Sequence, residues 1–338
     1  MYLSCNRCIC HAGACRSMIV VTGAMGFIGS AFVSFLNESG YQNLVVADDF
    51  YKWKKEKNLL NKRIYEWVHR DLFISYFEKL ASQVEVVFHL GARTDTISED
   101  KKIFDELNLQ YSKDLWNICS RFEIPFIYAS SAATYGDGQN GFADDHDIVP
   151  KLKPLNAYAD SKQEFDKWTL LQEQTPPVWY GLKFFNVYGP NEGHKGRMAS
   201  VIYHAFHQIR ESGKLRLFKS HKPEYKDGGQ LRDFIYVKDV VKMMMDIYEK
   251  QPASGIYNVG TGLARTFEDL GTTCFKALKA PVNIEYFDIP DDLKDKYQYF
   301  TEADMTKWKE AGLDLPATSL ENGVKDYVRK YLVPDKVL

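Results

Sequence analysis

The chain has 338 residues and is 45% hydrophobic, enough to bury a substantial core as one large domain or two smaller ones. Its 43 lysines and arginines nearly balance 45 aspartates and glutamates, a formal net charge of −2, so no global field draws it to nucleic acid or an acidic membrane. No stretch approaches the roughly 18 to 20 apolar residues that span a bilayer, and residues 1–17 lack the apolar run of a secretory leader; a cytoplasmic protein without nucleic-acid or membrane partners is expected.

Four of the six cysteines, Cys5, Cys8, Cys10 and Cys15, crowd residues 1–17. A Cys-x-x-Cys pair followed by Cys10, His11 and Cys15 could ligate a metal. A zinc module needs a longer spacer, however, and a strand pattern starts at once with Met18-Ile19-Val20-Val21. No metal is predicted, and residues 1–17 read as a disordered extension. Cys119 and Cys274 stand alone among apolar neighbours and read as reduced core thiols.

From Met18 the sequence alternates short apolar runs with helical stripes. Strand-like runs fall at 19–22, 44–47, 86–90, 126–130 and 182–185, and Ile28, Ala31, Phe32, Phe35 and Leu36 make an apolar helical face after the first. Strand and helix in repetition predict an α/β fold, a Rossmann-type doubly wound parallel sheet covered on both faces. After Asn186 the rhythm breaks into glycine, charged and aromatic residues. It resumes with a strand at 234–237, a helix at 240–248, a strand at 256–259 and a helix at 267–278 with Thr266 as N-cap. The expected organisation is a dinucleotide-binding domain over 18–185, with 230–262 crossing back to it. A smaller mixed C-terminal lobe over 186–229 and 263–335 would bind substrate.

The first strand runs into Gly23-Ala24-Met25-Gly26-Phe27-Ile28-Gly29, which opens the first helix. Glycine lets backbone approach a pyrophosphate, and the helix N-terminus offers free N–H groups to the anion. Placed between a strand and an amphipathic helix, this is a strong dinucleotide signal. Asp48, at the end of the second strand, sits where an acidic residue receives ribose hydroxyls and favours NAD. Lys52, Lys54 and Lys55 follow at once and could hold a 2′-phosphate, so this stretch leaves NAD and NADP both open.

Tyr158 and Lys162 lie four residues apart on one helical face. Forming a phenolate at neutral pH costs about 4 kcal/mol from an ordinary value near 10, and a neighbouring lysine cation reduces that cost. Such a tyrosine can take an alcohol's proton as hydride leaves the carbon. Ser130-Ser131-Ala132, at a strand end some thirty residues earlier, could supply a hydroxyl that orients the alcohol. A glycine loop, a serine and a Tyr/Lys pair in this order point to oxidoreductase chemistry.

Together, Thr22 to Gly29, His89-Leu90-Gly91-Ala92, Ser130-Ser131-Ala132 and Tyr158-x-x-x-Lys162 resemble the extended short-chain dehydrogenases over nearly everything from Met18 onward. That family's dehydratases carry an Asp-Glu pair near the serine; here the region reads Ser131-Ala132-Ala133-Thr134-Tyr135-Gly136, which disfavours dehydration. The segments Tyr128 to Gly136 and Phe185 to Ser200, with Gly193-His194-Lys195-Gly196 as their specific part, are similar to the branch that epimerises an ADP-linked heptose at C6 for the lipopolysaccharide core. The resemblance implies an isomerase, a homo-oligomer, and NADP as cofactor with NAD possible. It implies catalytic roles for Ser131, Tyr158, Lys162 and Lys195, although Lys195 on its own reads as a surface lysine.

It further implies that Gly23, Gly26, Phe27, Ile28, Gly29, Asp48, Asp49, Lys55, Arg70, Leu90, Gly91, Ala92, Arg93, Thr94, Asn108, Lys162 and Val187 line the cofactor. Asn186, Arg197, His204, Phe218, Lys219, Ser220, His221, Arg232 and Tyr297 would meet the nucleotide sugar. Arg197 departs from the small residue the resemblance leads one to expect. Asp49 departs too, since an uncharged side chain would suit a 2′-phosphate better.

Overall fold

In chain order, β1 (Met18–Thr22), α1 (Phe27–Glu38), β2 (Leu44–Asp48), β3 (Glu66–His69), α2 (Arg70–Leu80) and β4 (Val84–His89) build the first half of a parallel sheet. α3 (Tyr111–Arg121), β5 (Phe126–Ser131), α4 (Ala157–Leu170) and β6 (Trp179–Phe184) continue it. The computed structural model describes residues 10–11, 14–15, 17–95, 98, 100–290 and 297–338. Then follow β7 (Asn186–Tyr188), α5 (Val201–Ser212), β8 (Leu215–Phe218), β9 (Leu231–Tyr236), α6 (Val237–Lys250) and β10 (Gly255–Val259). β11 (Ala264–Thr266), α7 (Phe267–Leu278), β12 (Ile284–Phe287) and α8 (Leu320–Tyr327) complete the labelled elements.

The seven-stranded sheet has the order β10-β6-β5-β4-β1-β2-β3. Every neighbouring pair in it is parallel. β1 and β2 are buried along almost their whole length, as a strand covered on both faces must be. Successive side chains enter opposite cores. Val20, Val45 and Val87 pack with α2, α3 and α4 through Phe73, Trp116 and Phe165, whereas Val21, Val46 and Phe88 pack with α1 and α6 through Phe32 and Met244. This is the doubly wound arrangement the strand–helix alternation predicts. A smaller mixed sheet, β11-β9-β7, and a parallel pair, β8 with β12, stand beside it.

Two differences from the sequence reading have plain causes. β3 escaped it because only Val68 of its four residues is buried; an edge strand needs no apolar run. β6 starts at Trp179, three residues before the expected strand, because Gly181 interrupts the apolar run in sequence. In space Gly181 lies beneath the Tyr128 hydroxyl, where an added Cβ would come within 2.3 Å. The helix over 267–278 forms as expected, and Thr266 makes a reciprocal capping box with Asp269. Of residues 1–17, Cys10–His11 pairs antiparallel with Ala14–Cys15; Cys5 and Cys8 lie outside the described residues. Cys119 and Cys274 are free and buried. Among the described residues no helix is long and apolar enough to cross a membrane.

Candidate active site

Strand order reverses between β1 and β4, and the register sets Thr22 beside Ala47 on one side and His89 on the other. The crevice beyond such carboxyl ends is where open α/β sheets take their ligands. A cavity of about 460 Å3 opens there, lined by Gly23, Gly26, Phe27, Ile28, Gly29, Asp48, Lys55, Arg70 and the segment 90–94, all expected from sequence. Thr22, Lys52, Tyr111 and His194 also line it. Gly23 has φ +67°, and a Cβ there would lie 2.5 Å from the Gly91 nitrogen, so glycine is needed both for the turn and for the approach of the two loops. A Cβ on Gly29 would meet the Gly23 carbonyl oxygen at 2.2 Å. Gly26 caps α1 with no side-chain hydrogen bond, which leaves the helix's first N–H groups for an anion.

Both Asp48 oxygens are engaged by the protein: Oδ2 accepts from Met25 N at 2.9 Å, and Oδ1 from Asp49 N at 2.7 Å and Lys55 Nζ at 3.3 Å. Asp49 is not among the residues lining the cavity. It pairs instead with Lys52 at 3.2 Å and Arg70 at 3.7 Å. Burial works against its charge, but Lys52, Arg70 and the His69 ring, 3.5 Å away, hold its carboxyl below the usual range. Its negative charge is thereby neutralised by its own neighbours.

Beneath the cavity runs a chain of hydrogen bonds that no local motif announces. Ser112 Oγ donates to the Asn108 carbonyl and so accepts from His89 Nε2–H at 2.8 Å. His89 Nδ1 then accepts from Thr22 Oγ1 at 2.6 Å, and Thr22 Oγ1 accepts from Gly91 N at 3.2 Å. Asn108, on a π-helical turn (Asp105–Gln110) ahead of α3, closes the loop. It accepts from Arg93 N at 2.7 Å, and donates to Arg93 O at 3.0 Å and Ser161 Oγ at 2.9 Å. Asn108 thus supports the cofactor loop from behind and ties it to α4.

Burial, aided by the Lys162 charge, pushes His89 down to about 3. The unfolded chain titrates near 6.5 and binds a proton the folded one refuses, so His89's contribution is complete above pH 6.5. It declines as pH falls from 6.5 toward 3, by at most about 1.4 kcal/mol per pH unit. Denaturant midpoints measured against pH should fall across that window. The slope should be shallower in His89→Asn, and an equal slope would contradict this assignment.

α4 is N-capped by Asn156, whose side chain accepts from Ala159 N at 2.9 Å. The helix carries Tyr158, Lys162 and Asp166 at successive four-residue steps, on one face. Ser131, at the end of β5, hydrogen-bonds the Tyr158 hydroxyl. From its spacing along the chain, Lys162 is the group expected to lower Tyr158. In the folded protein burial comes first and pushes the phenol above its ordinary value; the Ser131 hydrogen bond opposes this and the Asp166 charge reinforces it. Burial likewise brings the Lys162 ammonium down to about 8, with Asp166 working the other way. Ser131, Tyr158 and Lys162 are not among the residues lining the dinucleotide cavity; Asn108 and Ser161 join the two sites, Ser161 Oγ donating to Tyr158 O at 2.7 Å.

The glycine-rich loop folds as a short 3-10 segment (Gly193–Met198), bent at Gly196 with φ 55°. It brings His194, Lys195 and Arg197 into the cavity wall. Lys195 Nζ stands 5.5 Å from the Phe27 ring centroid, and burial lowers its ammonium while Glu192 raises it. Sequence reasoning missed Glu192. It is fully buried and accepts from Gly189 N at 3.2 Å and from Ser200 N and Oγ at 2.5 and 2.7 Å, which anchors both ends of the loop. Arg197 lies 3.5 Å from Asp95, which also faces Arg93 at 3.5 Å.

The residues expected to meet a nucleotide sugar separate. Phe218 packs against Phe287 at 4.9 Å and Tyr297 at 5.8 Å. The nearly buried Arg232 guanidinium lies 5.6 Å from the Tyr297 ring centroid and 5.7 Å from that of Phe267. His221 Nδ1 lies 2.8 Å from the Tyr299 hydroxyl, Lys219 pairs with Asp288 at 3.4 Å, and Ser220 N donates to Asp227. Asn186 Oδ1 accepts from Thr301 Oγ1 at 3.5 Å, and Val187 is paired with Ile235 in the small sheet. His204, on α5, packs against Tyr203 and is not among the residues lining the cavity.

Residues 19–260 match the NAD dependent epimerase/dehydratase family. The chain is 49% identical over 317 residues to an ADP-L-glycero-D-manno-heptose-6-epimerase of Nitratidesulfovibrio vulgaris, covering 93% of this chain and 98% of that one. It is 45% identical to the protein of that name from Fusobacterium nucleatum, covering 94% and 99%. Among solved structures, it superposes on Helicobacter pylori ADP-L-glycero-D-manno-heptose-6-epimerase with a TM-score of 0.73 and 26% identity, covering 93% and 96%. UDP-glucose 4-epimerase from Thermotoga maritima gives 0.75 and 27%, covering 93% and 99%.

Proposed function

The chain belongs to the NAD dependent epimerase/dehydratase family, and on that premise we propose that it inverts C6 of ADP-D-glycero-D-manno-heptose to give the L-glycero epimer. The observation that carries the reading is identity of 45–49% over nearly the whole length of enzymes named for that substrate. A bound nicotinamide dinucleotide would accept a hydride from C6 and return it. The protein's part is proton handling on both faces of the transient ketone, which calls for two acid/base groups. Tyr158, beside Ser131 and Lys162, takes one role and Lys195 the other. Their delivery by two separate elements, α4 and the 193–198 loop, supports this division. The packing of Phe218 against Phe287 and Tyr297 supports a nucleotide-sugar lobe over 186–229 and 263–335. We also place the protein in the cytoplasm as a homo-oligomer, on the family resemblance.

Residues of the cavity suit the dinucleotide. The glycine loop and α1's uncapped N-terminus face a pyrophosphate, and Asp48, Lys55, Lys52 and Arg70 border one end of the site. For NADP in particular the support is that three cations, Lys52, Lys55 and Arg70, line the cavity beside Asp48 and Asp49, one more than those two carboxylates balance. Lys55→Ala should weaken NADP binding about tenfold, equivalent to about 1.4 kcal/mol, and NAD binding less than about threefold. Equal losses for both cofactors in fluorescence titrations would remove the case for NADP.

Incubation with ADP-D-glycero-D-manno-heptose and chromatographic separation of the C6 epimers tests the reaction itself. Conversion supports the assignment. No conversion after adding NADP and NAD would redirect it to another nucleotide sugar, and competition by UDP rather than ADP would say which class.

A further inference from the structure

Asp166 and Lys183 form a fully buried ion pair, Nζ to Oδ2 2.6 Å, with both side chains at 0% exposure. Asp166 sits one helical turn beyond Lys162 on α4, and Lys183 lies on β6. The remaining side-chain hydrogen bonds of the pair reach β5 and the turn that follows it, the segment that carries Ser131. Lys183 Nζ donates to Thr134 Oγ1 at 2.6 Å, and Thr134 Oγ1 donates to the Ser131 carbonyl at 2.7 Å. Asp166 Oδ2 also accepts from Ser130 Oγ at 2.7 Å, and Oδ1 accepts from Tyr128 at 3.0 Å. Ser130 and Ser131 are therefore held from both sides, one by side chain and one by backbone. A buried pair seldom earns its place through stability alone, and neither partner touches the cavity.

We propose that Asp166 and Lys183 are positioning residues, which hold the Ser131 hydroxyl and the Lys162 ammonium in place for proton transfer at Tyr158. This rests on the reading of Ser131, Tyr158 and Lys162 given above. Asp166 supplies the negative charge behind Lys162 and favours its protonated form. Lys183 tempers that charge and tethers Ser131 through Thr134. His89 on β4, which is neutral, feels the Lys162 charge, and Tyr128 and Tyr135, both pushed up by burial, feel that of Asp166. Asp166 and Lys183 are thus the charged pair acting from behind.

The test compares kcat, KM and the pH profile of kcat in the dinucleotide-loaded protein. Wild type, Asp166→Asn, Lys183→Met, the double variant and Tyr158→Phe are measured with ADP-D-glycero-D-manno-heptose. Asp166→Asn should displace the alkaline limb of kcat to lower pH, because Lys162 loses its anionic neighbour. Lys183→Met should displace it to higher pH, because Asp166 is no longer tempered. A merely structural role would lower the yield of folded protein without opposite displacements.

The double variant leaves no unpaired buried charge and guards against misfolding of the single ones. Its kcat should fall about 100-fold through loss of the Ser131 tether, the scale of a small misplacement in an active site, with KM changed less than about threefold. A folded double variant with wild-type kcat, or folded single variants with an unmoved limb, would overturn the proposal. If Tyr158→Phe is inactive while these variants behave as wild type, the positioning role alone falls. If Tyr158→Phe retains turnover, the reading of the centre falls first.

Discussion

Tyr158→Phe is expected to lower epimer turnover by about 10²–10⁴-fold, the usual contribution of a positioned proton carrier, with dinucleotide affinity changed less than about threefold. The asymmetry follows from placement. The Tyr158 phenol hydrogen-bonds Ser131 and stands on α4, whereas none of the residues lining the dinucleotide cavity lies on that helix. The substitution removes one hydroxyl and keeps the ring, so packing is retained. Burial raises Tyr158 above its ordinary value, so the phenol is held protonated and poised as a donor until neighbouring positive charge favours the anion. Epimer chromatography and a cofactor fluorescence titration on the same sample measure both halves. Turnover within tenfold of wild type would dismiss Tyr158 as the proton carrier.

The second large effect is on stability. Asp166→Ala should cost about 3–5 kcal/mol, because it strands the Lys183 ammonium in a dry interior with its ionic partner gone. It also takes the acceptor from the buried Ser130 hydroxyl and leaves Tyr128 only its 3.3 Å bond with Thr169. Replacing the pair together, Asp166→Leu with Lys183→Met, should recover most of that loss, because buried ion pairs often give way to apolar residues at little cost. Denaturant unfolding of both variants checks the contrast. If Asp166→Ala unfolds at the wild-type midpoint, the pair is solvated in a way its complete burial contradicts.

Much of the fold was legible along the chain, and the reasons are local. Val20 and Val21 each bury against a different layer, so the run is apolar throughout, and a continuous apolar run followed by a glycine turn and an amphipathic stripe has few other readings. Thr266 and Asp269 cap α7 with groups three residues apart, a signal contained in four letters. β3 was illegible for the opposite reason: at the sheet edge, three of its residues keep contact with solvent. The 193–198 loop stood out by its glycines, yet nothing in them pointed to Glu192, which anchors the loop from within.

The order of the candidate groups, then, was legible in the sequence itself: glycine turn, Asp48, Ser131, and Tyr158 with Lys162, whereas Lys195 alone read as a surface lysine and entered only through the family resemblance. Each depends on residues adjacent in the chain or one helical turn apart, where short-range sterics and helix periodicity act. Their ionisation and support were decided only by the tertiary structure. Asp166 meets Lys183 from 17 positions away, His89 meets Thr22 from 67, and Asn58 meets the Asn191 carbonyl from 133. Burial, the largest influence on His89, Tyr158 and Lys162, is a property of packed layers. No spacing along the chain encodes it, because desolvation depends on every element that closes over the group.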